Sequence, residues 1–130
     1  MYSSTTHNVT VSVSPTYLHT ESVPEKNIFV WAYTVRIENK SDAPLQLRTR
    51  HWKITDALGR VQEVRGPGVV GEQPLLKPGE SFEYTSGTPL ATPSGIMTGS
   101  YAMETPDGRL VDIDIPAFSL DTPGAPRQIN

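Results

Sequence analysis

Apolar and polar residues alternate along most of this chain, and a period of two is typical of β-strands. The clearest run extends from Ile28 to Asn39, where one parity is apolar as far as Ile37. That parity consists of Phe29, Trp31, Tyr33, Val35 and Ile37. The other parity starts apolar and turns polar after Ala32. This pattern predicts a central strand whose aromatic face lies in the core.

The run from Leu45 to Thr55 predicts a second strand whose apolar parity changes partway. Leu45 and Leu47 are apolar on odd positions, whereas Trp52 and Ile54 are apolar on even positions. A strand cannot exchange its two faces without an extra residue. We therefore expect a β-bulge near Arg48–His51.

Further alternating runs are separated by Pro, Gly and other turn residues. They include Val9–Val13 near the start, and they end in a hairpin closed by Asp107-Gly108, a favoured tight-turn pair. The remaining runs are Val61–Val64, Ser81–Ser86, Gly95–Glu104 and Arg109–Phe118. Pro or Gly interrupts almost every window long enough for a helix. Roughly seven or eight short strands predict an all-β fold, a two-sheet antiparallel sandwich of the immunoglobulin or fibronectin-III type.

Composition bounds the class of protein. The 130 residues fit one domain, which we place at residues 1–120, with a flexible C-terminal tail over 121–130. Cysteine is absent, which excludes disulfides and thiolate metal sites. The start shows no secretory signal and no apolar run is long enough to cross a membrane, so we expect a cytoplasmic protein. A net charge of −3 gives no reason to expect nucleic acid as a partner.

A glycine-rich run, Gly66-Pro67-Gly68-Val69-Val70-Gly71, spells G-x-G-x-x-G. In a dinucleotide-binding fold that motif needs a helix after the glycines, and Pro74 and Pro78 prevent one here. Main-chain amides at Gly66, Gly68 and Gly71, next to Arg65, could still form an anion-binding loop for phosphate or nucleotide. The alternative is a crossing between sheets in which Val69 and Val70 fill the core.

Two other groups of residues are candidate sites. Arg48, Arg50 and His51 form a basic stretch, in which the two arginines are expected to share a face and could bind a carboxylate or phosphate. The alternative is a solvated strand face. Asp112 and Asp114 are weak candidates for a divalent cation, and alternating Asp is also the ordinary pattern of a wet sheet face. The three histidines have no metal-ligand spacing, and no catalytic motif is evident, so we expect neither an enzyme nor a cofactor.

Several runs closely resemble the bacterial ApaG family, and Val69–Pro74 is highly specific. The matching runs are His51–Asp56, Val64–Pro74, Leu76–Glu80, Phe82–Ser86, Gly95–Tyr101 and Ile115–Leu120. Together they cover about Val9 to Leu120. The resemblance implies a fibronectin-type-III-like sandwich. Similar domains in eukaryotic proteins look like protein-interaction modules, so the resemblance also implies that this chain binds a protein. It further implies an accessory role in cobalt and magnesium efflux or resistance.

These observations predict a non-catalytic, cytoplasmic binding module whose partner is a protein. The alternative is a sensor that binds a phosphorylated nucleotide through the loop from Arg65 to Gly71.

Overall fold

The alternating runs form two antiparallel β-sheets in the computed structural model, which describes residues 1–123. One sheet has the strand order β1-β2-β3-β7, and the other has the order β5-β4-β8-β9 with the short β6 paired to β4. A 3₁₀ turn lies at Pro24–Lys26. The strands are β1 Tyr2–Thr6, β2 Val9–Tyr17, β3 Phe29–Asn39, β4 Leu45–Asp56, β5 Val61–Pro67, β6 Leu75–Leu76, β7 Ser81–Leu90, β8 Ser94–Glu104 and β9 Leu110–Asp121. The all-β sandwich predicted from the alternation is confirmed.

The core lies between the sheets and has an aromatic centre. Every residue of the apolar parity in β3 is buried, as the alternation predicted. The ring centroids of Tyr33 and Trp52 are 5.2 Å apart, and Phe118 lies 6.0 Å from each of them. Edge-to-face and tilted contacts of this kind add to the free energy gained from burial alone. They join β3 of one sheet to β4 and β9 of the other.

Asn39 is a fully buried polar residue at the end of β3. Its side-chain amide donates to the carbonyl oxygens of Ala43, at 2.9 Å, and Leu76, at 2.8 Å. Its Oδ1 accepts from both the amide and the hydroxyl of Ser41. The bond to the Leu76 carbonyl is buried, so Asn39 satisfies a polar group that water would not reach.

The strand bounds differ from the sequence predictions at both ends of the chain. The strand β1 was missed, because its pairing with β2 depends on a tight turn in which His7 and Asn8 both have positive φ. The tail was predicted to begin at residue 121. Instead Asp121 ends β9, and its carbonyl accepts from the indole of Trp31 at 2.9 Å. The remainder of the predicted tail, 124–130, lies outside the described residues.

One side of the sandwich is closed and the opposite side is open. On the closed side the hydroxyl of Ser4 in β1 donates to the carbonyl of Asp114 in β9, and the Asp114 amide donates to the hydroxyl of Thr6. On the other side the edge strands β5 and β7 are not paired with each other. A cleft therefore opens between them.

Candidate functional site

The predicted bulge in β4 lies at Arg48. The pairing of β4 with β8 shifts between Leu47 and Thr49, so Arg48 is the extra residue. Its carbonyl accepts from the amide of Gly68 and from the side-chain amide of Gln73, both at 2.9 Å. The bulge thus ties the glycine-rich loop against β4.

The bulge also determines which way the neighbouring side chains point. After it, even positions of β4 face the core, as buried Trp52 and Ile54 show. Arg50 has the same parity, and its guanidinium lies between the sheets, where Nη1 donates to the carbonyls of Pro67 and Gly68 at 2.9 Å each.

The three residues predicted to form one basic face do not lie together. Arg48 forms an ion pair with Glu104 at 2.9 Å, and Arg50 lines the cleft. His51 lies on the outer face of the sheet, where its Nε2 is 2.9 Å from Glu63. The expectation that the two arginines grip one anion does not fit this arrangement, because the bulge reverses the face between them.

Each glycine of the G-x-G-x-x-G run has a structural role in this loop. A Cβ on Gly66 would lie 3.1 Å from both terminal nitrogens of Arg50, so the guanidinium lies flat over that glycine. A Cβ on Gly68 would collide with the carbonyl of Glu72. Gly71 has φ +81° in the two-residue turn that closes the loop. These contacts are sufficient to explain the motif without a bound phosphate.

The closing turn of the loop is strained at Val70. Val69 and Glu72 exchange two backbone hydrogen bonds of 2.8 Å, and both residues between them have positive φ. Hairpin turns of this type favour Asn or Gly, whereas Val70 adopts φ 44°. Val69 is buried as predicted, but Val70 is 56% exposed and does not fill the core. A β-branched residue in this conformation is uncommon and points toward function.

The loop lines one side of a cleft of about 380 Å³ on the open side of the sandwich. Polar groups come from three elements: Arg50 of β4, Tyr33 of β3, and Tyr84 and Ser86 of β7. Apolar walls come from Trp52 and from the loop. Sequence reasoning missed this site, because the predicted bulge range Arg48–His51 left open which face of β4 carries Arg50.

The phenol groups in and below the cleft are held neutral. The hydroxyl groups of Tyr84 and Tyr101 are hydrogen-bonded to each other. Burial raises the pKa of Tyr33, Tyr84 and Tyr101, and the Arg50 guanidinium opposes part of that rise. Ser86 also lowers the pKa of Tyr33 by hydrogen bonding. Near neutral pH the cleft therefore presents one permanent positive charge and neutral hydroxyl groups.

The other candidate residues lie away from the cleft. Arg65 projects from the outer face, 72% exposed and 3.7 Å from Glu63. Asp112 and Asp114 are exposed on the outer face of β9. Across residues 1–123 no group of three or more His, Cys, Asp or Glu side chains is arranged to hold a metal ion.

None of the described helices is long and apolar enough to cross a membrane.

The loop and the surrounding sandwich match known proteins. The ApaG domain family model matches residues 19–105. This chain belongs to the ApaG family. A relative called Protein ApaG from Parvibaculum lavamentivorans is 61% identical over the full length of both chains. Protein ApaG from Rhodospirillum centenum is 65% identical over 95% of each chain.

A solved structure shows the same fold in the family. The crystal structure of a Bordetella pertussis protein called ApaA is 50% identical to this chain, with a TM-score of 0.87. The match covers 93% of this chain and 98% of the Bordetella protein. The ApaG resemblance found in the sequence is therefore confirmed in both sequence and fold.

Proposed function

We propose that this ApaG-family protein is a non-catalytic module that binds a protein partner through the outer face of the sheet β5-β4-β8. The observation that carries this proposal is a row of exposed apolar side chains across that face. Val61 of β5 and Ile96 of β8 are both paired with Thr55 of β4, so all three lie on the outer surface. Val61 is 54% exposed and Ile96 is 55% exposed.

The turn between β4 and β5 extends this apolar row. Leu58 lies in that turn, directly after the pair Thr55–Val61, and is 72% exposed. Exposed apolar patches of this kind on soluble proteins commonly mark binding surfaces. Because each large side chain is solvated in the free protein, a partner that covers the row would gain the free energy of burying it.

Polar residues border the apolar row on the same face. The next row along the strands holds Glu63, Lys53 and Thr98. Beyond it lies His51, which contacts Glu63. An apolar centre with a polar rim is the usual organisation of a protein interface. An accessory role in cobalt or magnesium resistance, implied by the family, would be exercised through such a partner.

The test is affinity capture from a lysate of cells that contain the natural partner, quantified by mass spectrometry. The baits are the wild-type protein, Ile96→Asp, and the matched control Leu110→Asp. Leu110 is 58% exposed and lies at the opposite end of the sheet. A charge within the apolar row should reduce the captured partner about tenfold or more, whereas the control should capture as much as wild type. Equal capture by all three baits would refute the proposed face.

A further inference from the structure

The cleft between the two sheets contains an arginine that is only partly used by the protein. Its Nη1 is held by two loop carbonyls. An arginine has five N–H donors in a fixed plane. Within residues 1–123, Nε and Nη2 of Arg50 have no hydrogen-bond partner. The guanidinium is thus anchored through Nη1, and the N–H groups on its Nε–Nη2 edge are available to a ligand.

The Nε–Nη2 edge is suited to a carboxylate. The parallel N–H groups on Nε and Nη2 match the two oxygens of a carboxylate, which accepts both hydrogen bonds at once. Anchoring by the carbonyls of Pro67 and Gly68 also fixes the guanidinium before a ligand arrives, so less rotamer entropy is lost on binding. Among residues 1–123, Arg50 is the only cationic side chain that lines the cleft, which suits a single negative charge better than a polyphosphate.

The rest of the cleft suits a compact apolar group joined to that charge. Pro67 and Val70 supply exposed apolar surface. Neutral Tyr33 and Ser86 supply hydroxyl groups for a further polar atom. A volume of about 380 Å³ lies at the small end of the range for ligand sites. The strained residue Val70 forms part of the rim.

We propose that this cleft binds a carboxylate carried on a small apolar or aromatic group, with Arg50 as its charge partner. The carboxylate takes the Nε–Nη2 edge, and its apolar group packs against Pro67 and Val70. Two sources offer this chemistry: a free organic acid, or the terminal carboxylate of a peptide that ends in an apolar residue. The site is separate from the outer face proposed above, and neither proposal depends on the other.

The test is an amide-correlation NMR titration of the full chain with phenylacetate, with its neutral analogue phenylacetamide, and with inorganic phosphate. Phenylacetate should shift the amides of Gly66, Val69 and Ser86 saturably, with a dissociation constant on the order of millimolar for a probe this small. Phenylacetamide and phosphate should bind at least about tenfold more weakly. Equal binding of acid and amide, or absence of shifts in the cleft, would overturn the proposal. Equal binding of phosphate would also overturn it and would favour the anion-loop hypothesis.

Two arginine variants test whether Arg50 binds the carboxylate. Arg50→Lys keeps the positive charge but removes the bidentate edge, so it should weaken phenylacetate binding about tenfold. Arg48→Lys is the matched control, because Arg48 contacts Glu104 outside the cleft, and it should bind as wild type does. The amide spectrum of each variant reports whether the fold is retained. If folded Arg50→Lys binds with unchanged affinity, Arg50 is not the charge partner and the proposal is wrong.

Peptides separate the two sources. A tripeptide ending in Phe is titrated with a free and with an amidated C-terminus. A tighter response to the free-acid peptide than to phenylacetate assigns the site to a chain terminus, and the reverse assigns it to a small acid. Partner capture by Arg50→Lys should equal that of wild type, which keeps failure at the cleft distinguishable from failure at the outer face.

Discussion

The strained turn at Val70 should become more stable when Val70 is replaced by Asn. The left-handed conformation costs an ordinary L-residue about 1–2 kcal/mol, and Val70 adopts it with φ 44°. Asn tolerates this conformation, and Asn-Gly is the preferred pair for a two-residue hairpin turn. Substitution should therefore relieve most of that cost.

The opposing effect is the loss of buried apolar surface. Full burial of a Val side chain contributes about 1.5 kcal/mol or more, but Val70 is 56% exposed, so less than half of that contribution is lost. The net effect of Val70→Asn is then a gain of about 0.5–1 kcal/mol in the free energy of unfolding. In a chain of this size that gain raises Tm by about 2–4 °C.

The assay is thermal and urea unfolding of the wild-type protein, Val70→Asn and Val61→Asn. Val61 is the matched control, because it is 54% exposed and is not among the residues with positive φ. There the same substitution removes a good strand former and should lower stability by a few tenths of a kcal/mol. If both variants shift Tm in the same direction, the strain assigned to Val70 is not present.

Three further predictions concern stability. Asn39→Ala should lower the free energy of unfolding by about 1–3 kcal/mol, because the buried carbonyl of Leu76 loses its hydrogen-bond partner. Urea unfolding measures this loss, and a loss below about 0.5 kcal/mol would contradict the role assigned to Asn39. The folded-state pKa of Tyr33, Tyr84 and Tyr101 lies above the usual 10.0, so their stabilising contribution is complete below about pH 10 and is lost as pH rises further, by about 1.4 kcal/mol per pH unit for each tyrosine. Unfolding experiments between about pH 9 and 12 test this expectation, and a flat profile would refute it. Gly99→Ala should disrupt the pairing of β8 with β4, because the new Cβ would collide with the carbonyl of His51; unchanged Tm would show that this close approach can relax.

The alternation of residues was sufficient to predict the sandwich. Burial of every second residue follows directly from strand geometry, so the core face of β3 could be predicted without coordinates. The parity change between Leu47 and Trp52 likewise required a bulge. Glycine and proline placed most of the turns, since their backbone preferences are local.

The direction of Arg50 could not be fixed in the same way. The parity change located the bulge only to within a few residues, and each shift by one residue moves a side chain to the opposite face. Only the observed pairing, with Arg48 as the extra residue, turns Arg48 outward and Arg50 into the cleft. Val70 was assigned to the core in one interpretation for a different reason: the sequence did not show that it lies in a tight turn with positive φ.

The sequence by itself determined most of the strands, the buried parity and the ApaG-family resemblance, because these depend on local periodicity and on a specific run of residues. The tertiary structure alone decided that Tyr33, Arg50 and Ser86 share one cleft, because they come from three strands in two sheets. It also decided that the G-x-G-x-x-G run serves the packing of a guanidinium and a tight turn. The sequence shows where the glycines are, and only the fold shows that the Arg50 guanidinium lies against Gly66 and the Glu72 carbonyl against Gly68.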